Sequence, residues 1–224
     1  ELLGRYDGSY LYAAGKRWGF FPGASIGWRI SEEPFFKNLK GVVNDLKIRA
    51  SIGQTGSESG VSMFGYMDGY NWNQGSAVLD GELVTGLNQR GLPIRNLSWV
   101  KNTSANIGID IALFDNRLTA TFDAFKKSIS GIPAGRYDVK LPSEVGYSLP
   151  NENLNKDAYV GAEGIVTWSD KIGELNYTVS ANATYSRYKM VSRYKPRYGN
   201  SWDQYRNSSE DRWGGVWWGY QVIG

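Results

Sequence analysis

With no cysteine and no histidine in 224 residues, the chain is barred from disulfide, thiol and imidazole chemistry and from the usual zinc centres. Its net charge is only +3 and its basic residues are scattered, so it carries no electrostatic footprint for nucleic acid. No run of 18 apolar residues exists, which excludes a membrane-spanning helix but leaves a strand-built membrane protein open.

Residues 1–7 read as the end of a strand, and Asp7-Gly8-Ser9 opens a turn. The chain therefore reads as part of something longer, starting inside a strand. From Arg17 to Ser57 two alternating runs flank a polar and aromatic connector. Ala24, Ile26, Trp28 and Ile30 share one face of the first run, with Ser25, Gly27 and Arg29 on the other. In the second, Leu46, Ile48, Ala50 and Ile52 oppose Lys47, Arg49, Ser51 and Gly53. Period two of this length means strands with one apolar and one polar face. A sandwich strand and a barrel strand both satisfy that pattern, so periodicity alone does not choose between them. Pro22 donates no ladder hydrogen bond and belongs at a strand end or edge.

The connector 31–44 predicts a short helix capped by Ser31, with Glu32 and Glu33 in its first turn and Phe35, Leu39, Val42 and Val43 on one face. It is either a helical turn at a membrane interface or an ordinary loop helix. Residues 56–98, rich in Gly, Asn, Ser and aromatics, form a long connection of the kind that often carries function. Trp99 to Phe114 predicts a long strand, with Thr103, Ala105, Ile107, Ile109, Ile111 and Leu113 on one side and Asn102, Ser104, Asn106, Gly108, Asp110 and Ala112 on the other. Residues 115–117 close a tight hairpin into the alternating run from Leu118. Residues 128–157, broken by Pro133, Pro142 and Pro150, form a second long connection. A strand over 158–168, a short turn at 169–174 and a strand from Leu175 follow. A polar third connection, 189–212, leads to the aromatic run at Trp213–Tyr220.

Short and long connections alternate strictly along this order. An up-and-down membrane barrel has short turns on one side and long loops on the other, whereas a Greek-key sandwich has no reason to alternate. The runs at 99–114 and 175–188 exceed the usual strand of about 5–6 residues and suit a bilayer crossing. Trp28 and Trp168 stand beside short turns, where a barrel carries an aromatic girdle. The fold class is therefore all-β, an antiparallel transmembrane β-barrel segment of about eight strands. The short turns 31–44, 115–117 and 169–174 are expected in the periplasm, and the long loops 56–98, 128–157 and 189–212 outside the cell.

Catalytic motifs are missing: there is no P-loop, dinucleotide fingerprint or nucleophile elbow, and no cofactor is implied. Glu32-Glu33 and Glu210-Asp211 are sequence neighbours, which do not converge on one substrate. The expectation is a protein that is not an enzyme. Ligand contact instead falls to loop aromatics whose flat faces stack on sugars or hold peptide side chains: Trp72, Trp202, Tyr205, Trp217 and Trp218. Packing within folded loops is the alternative role for the same rings.

The segments RYDGS, RWGFFPGASIGWRISEE, DLKIRASIGQTGS, NIGIDIALFDNRLTATFDAF and GELNYTVSANATYSRYKM resemble the barrel of the SusC/RagA family, TonB-dependent outer-membrane transporters of the Bacteroidota. One departure is NKDAYVGAEG, where the family runs more directly into the strand begun at Glu163. The resemblance implies a larger barrel of 22 strands in the family, a plug and a TonB-contacting segment that this stretch lacks, and a SusD-like surface lipoprotein as lid. It implies import of a bulky nutrient, an oligosaccharide before a peptide, across the bacterial outer membrane. Asp110, Asp123 and Glu163, inward by parity, are then expected to line the lumen or meet the plug. Two other classes remain: a soluble, secreted glycan-binding β-sandwich, and a small eight-stranded structural outer-membrane barrel.

Overall fold

A computed structural model describes residues 1–195, 198–217 and 219. Its strands, in chain order, are β1 (Leu2–Gly8), β2 (Trp18–Arg29), β3 (Val43–Ser57), β4 (Tyr70–Leu79), β5 (Glu82–Gln89), β6 (Val100–Leu113), β7 (Leu118–Ala134), β8 (Glu152–Ile172), β9 (Leu175–Ser192) and β10 (Arg212–Trp213). Eight of them form one antiparallel sheet in the order β1-β2-β3-β6-β7-β8-β9-β10, and β4 with β5 makes a separate hairpin. Every neighbour in the large sheet is also the next of its strands along the chain, so the topology is an up-and-down meander. β1 and β10 are its edges, and the sheet does not close on itself among the described residues.

The ladder explains Pro22. Ser25 donates its N–H toward the β1 side, to the Glu1 carbonyl at 2.9 Å, so even-numbered residues of β2 point theirs toward β3. Pairing with β3 begins only at Gly23, so the missing donor of Pro22 faces no partner.

Register sorts the side chains into two faces. One carries the rows Ile26–Ala50–Ile107–Ala124–Ala162–Tyr185 and Trp28–Ile48–Ile109–Phe122–Gly164–Ala183. The other carries Gly27–Arg49–Gly108–Asp123–Glu163–Thr184. The apolar face is the uncovered one: Ile26 is 73% and Ile107 58% exposed. A sandwich buries that face under a second sheet. Here the large buried apolar side chains lie at the ends of the wall instead, with Tyr12, Phe21, Leu97 and Val100 at the long-connection end and Phe36 at the short-turn end.

Several boundaries differ from the sequence reading. The connector is two 3-10 turns, Ile30–Glu32 and Pro34–Leu39, not one capped helix. Pro34 holds Glu33 extended (φ −74°, ψ 146°) and so splits the segment. Ser31 is no cap: its buried hydroxyl donates to Asp45 at 2.8 Å, and Phe36, not Phe35, turns inward. The connection expected at 128–157 shrinks, because β7 continues to Ala134 through a bulge around Gly131 (φ 75°) and carries Pro133 within it, while β8 starts at Glu152. Asn155, Lys156 and Asp157 therefore run continuously into the Glu163 strand. The turn expected at 169–174 tightens to Gly173-Glu174, and β9 runs on to Ser192. The connection 58–99 holds the β4–β5 hairpin, and the one at 193–211 holds a short helix, α1 (Ser201–Asn207).

Candidate functional site

The polar face has an ion-pair network at mid-height. Arg49 lies opposite Gly108 on β6, and Gly108 lies opposite Asp123 on β7. The guanidinium crosses over Gly108 to reach both carboxylates, with Nε donating to Asp110 at 2.8 Å and Nη2 to Asp123 at 2.8 Å. A Cβ at position 108 would fall 2.5 Å from Asp123 Oδ1 and 2.9 Å from Arg49 Cζ, so only glycine leaves room for the crossing. Thr121 donates to Asp110 at 3.1 Å. Three strands are thus tied on one face, and Glu163 continues the row directly opposite Asp123.

The long-connection end is tied by aromatics and amides. Tyr12 packs tilted against Trp99 at 5.3 Å, and Trp99 edge-on to Phe21 at 5.5 Å. The Tyr12 hydroxyl donates to the Ser57 carbonyl at 3.4 Å, and Trp99 Nε1 to the Arg17 carbonyl at 3.0 Å. Burial, and then the nearby Glu58, push the Tyr12 phenol up to about 12. Asn153 accepts from the Ser98 amide at 2.8 Å and donates to Ser98 and Gly131 carbonyls at 2.9 and 2.6 Å, stitching the β3–β6 connection to β8. Arg193 ion-pairs with Asp157 and donates to the Tyr188 hydroxyl, which donates to Asp157 at 2.6 Å.

Beside Arg193 opens a cleft of about 410 Å³, walled by Tyr137, Tyr194, Lys195, Tyr198, Gln204 and Glu210. The Tyr137 and Tyr194 rings stand 4.8 Å apart, and the Lys195 ammonium lies 4.9 Å over the Tyr198 ring. At its edge Arg136 donates to Asp138 at 3.1 and 2.8 Å. That bond, with help from Tyr194, holds the Asp138 carboxyl well below the usual carboxylate range. Polar edges around ring faces bind neutral, hydroxyl-rich or amide-rich ligands by stacking and hydrogen bonding. No cluster of three or more potential metal-ligating side chains occurs among the described residues.

The nominated aromatics do not form one site. Trp202 and Tyr205 sit one turn apart on α1 with ring centroids 5.9 Å apart, close to the cleft. Trp72 stands 70% exposed on the β4–β5 hairpin, and Trp217 is 93% exposed. Trp218 lies outside the described residues. Asp110 and Asp123 are brought together by Arg49, while Glu163 joins their row without an ion pair among the described residues. Sequence reasoning missed Arg49 as the bridging residue, although its parity was legible. It also missed the tyrosine cleft, whose members come from connections far apart in sequence.

The chain matches the family described as TonB dependent receptor-like, beta-barrel, over residues 2–223. It is 31% identical over 191 residues to TonB-dependent receptor P39 of Formosa agariphila, covering 84% of this chain and 17% of the relative. It is likewise 31% identical over 186 residues to TonB-dependent receptor SusC of Bacteroides thetaiotaomicron, covering 80% of this chain and 18% of the relative. The chain therefore spans less than a fifth of these relatives. Among solved structures it superposes on the RagAB peptide importer in the 'open-open' state with a TM-score of 0.71, at 20% identity, covering 89% of this chain and 21% of that one. The 'closed-closed' state gives a TM-score of 0.67 at 22% identity, over 89% of this chain and 21% of that one. An open meander with an exposed apolar face, short turns at one end and long connections at the other is what a stretch of a large barrel wall looks like alone. The chain belongs to the TonB-dependent receptor β-barrel family of outer-membrane proteins, and within it is SusC/RagA-like.

Proposed function

We propose that this stretch is wall and rim of an importer that captures a bulky nutrient at the long-connection end and passes it along the polar face. One observation carries the reading: all the long connections emerge at one end of the sheet, and that end holds the Tyr137–Tyr194–Tyr198 cleft and the Trp202–Tyr205 pair. That end faces outside the cell, and the short turns 30–42, 114–117 and 173–174 face the periplasm. Asp110, Asp123 and Glu163 face the lumen, where a plug supplied elsewhere in the full protein meets them. A SusD-like lipoprotein closes over the rim, and TonB supplies the energy through a segment outside this stretch.

The cargo is an oligosaccharide first and a peptide second. Stacked rings with polar edges serve both, and the RagAB peptide importer stands on the peptide side of that choice. The test is purification of the full-length receptor from detergent-solubilised outer membranes, followed by binding of glycan and peptide pools. A receptor that captures no lipoprotein and binds neither pool retains its membrane topology and loses this function.

A further inference from the structure

Four basic side chains on the apolar face take no part in the site above. The ladder sets Lys126 of β7 opposite Val160 of β8, and Val160 opposite Arg187 of β9. Nearer the long connections it sets Lys101 of β6 opposite Ser130 of β7, and Ser130 opposite Lys156 of β8. Period two places all four on the face of Ile107, Ala124, Ala162 and Tyr185. Within each pair two strand spacings, about 10 Å, separate the backbones, so two long side chains can reach one phosphate above the single residue between them, Val160 in one pair and Ser130 in the other. The rows of Val160 and Lys156 are about 13 Å apart along the strand.

None of the four has an acidic partner among the described residues. Their neighbour Lys189 does, pairing with Asp211 at 2.6 Å, and the Arg187 guanidinium lies 4.8 Å over the Trp213 ring. The next three rows toward the short turns carry no charge on this face, only residues such as Ile107, Ile109, Phe122 and Val166. Beyond them, at the short-turn end, Asp170 is balanced by Arg117 at 3.4 Å. The unbalanced charge is thus positive and confined to one boundary of the apolar band.

We propose that Lys126 with Arg187, and Lys101 with Lys156, hold the phosphate-bearing headgroup of a lipid in the leaflet on the long-connection side, its acyl chains lying on the apolar rows beneath. This rests on the reading that the apolar face meets lipid. A headgroup with two phosphates spans both pairs, and in the row between them Thr103, Ser128 and Ala158 carry only short side chains, with Lys189 at the row's end.

The full-length receptor, extracted in mild detergent, is tested by native mass spectrometry for retained phosphate-bearing lipid. The double variant Lys126→Ser/Arg187→Ser should hold it roughly 25-fold more weakly, about fivefold per cation, while Lys37→Ser at the short-turn end leaves it unchanged. Equal retention by wild type and the double variant, or an equal loss from Lys37→Ser, overturns the site. So does displacement of the lipid by inorganic phosphate alone, which marks an ion site. Where the double variant fails to insert, wild-type receptor in nanodiscs of mixed phosphate-bearing and neutral lipid decides: enrichment of the former around the barrel supports the site and equal occupancy refutes it. A receptor that inserts and shows no enrichment loses only this lipid site, whereas one that does not insert loses the proposed function too.

Discussion

The two ends of the sheet are built by opposite means. At the short-turn end the chain turns on local geometry: Gly173 (φ 61°) with Glu174, the left-handed run Phe114–Asn116, and two 3-10 turns secured by Ser31 and Arg29 on Asp45. At the long-connection end the fastening bonds join residues 45 to 82 positions apart, from Tyr12 to Ser57, Ser98 to Asn153 and Trp99 to Arg17. Local turns set strand pairing cheaply and tolerate little variation. Long-range ties leave the intervening loops free to differ in sequence while the rim stays in place. Under the proposed function, one end is a hem and the other a receptor surface.

The largest way to break this contrast is to breach the wall between the ends. Ile109 lies mid-band on the apolar face, and Ile109→Arg should cost roughly 2–4 kcal/mol, read as lost insertion and a lower heat-induced unfolding temperature. Asn106→Arg, on the polar face, should insert like wild type. The reverse result would turn the wall inside out.

A pH titration separates the ends next. The folded Tyr12 phenol is raised to about 12 against an ordinary value near 10, so its contribution is complete below pH 10 and is lost as pH climbs from 10 through 12. The full loss is about 2–3 kcal/mol, confined to the rim. Tyr12→Phe should shrink this alkaline limb, read by tyrosinate absorbance, and an unchanged limb would show that the Tyr12 phenol contributes nothing to the rim.

Between the ends, Arg49→Ala strands Asp110 and Asp123 on one face. Asp123 is well shielded but Arg49 and Asp110 are about a third exposed, so the expected loss is about 1–3 kcal/mol, below that of a fully buried pair. A double-mutant cycle with Asp123→Asn should recover part of it. Additive effects would show that the crossing over Gly108 carries no coupling.

Much of the wall was legible in the sequence, because Ile107 to Leu113 and Leu175 to Tyr185 keep period two without interruption. The β4–β5 hairpin was not, although Asp80-Gly81, both at positive φ (53° and 81°), is a strong two-residue turn signal. Its flanks, Ala77-Val78-Leu79 and Leu83-Val84, are continuous rather than alternating, so the strands hid inside an aromatic-rich loop. The start of β8 is mostly polar (residues 152–157) and is a strand because β7, joined from Lys156 onward by β9, pairs with it. Arg49 could be assigned to a face, but its bond to Asp123, two strands away, depends on register that a single strand does not encode.

The smallest expected effect tests whether the rim is independent of the wall. Helix α1 has seven residues and buries none of them, and isolated helices shorter than about 12 residues are marginal in water. Its N-cap is Asn200, whose Oδ1 accepts from the Asp203 amide at 2.8 Å while its Nδ2 donates to the Asp203 carboxylate at 3.2 Å. Asn200→Ala removes both bonds and should cost the helix about 1 kcal/mol. With that loss Trp202 and Tyr205 no longer share a fixed face, so nutrient affinity should fall roughly fivefold. Heat resistance of the barrel should not change, since α1 meets the sheet at its edge strand, where Arg212 of β10 donates to the Arg206 carbonyl at 3.4 Å, and the β9–β10 ladder there is two residue pairs long. Asn200→Ser, which keeps a capping oxygen, should restore most of the affinity. A drop in barrel stability with Asn200→Ala would instead make α1 part of the wall, and the division between hem and receptor surface would fail at its outermost point.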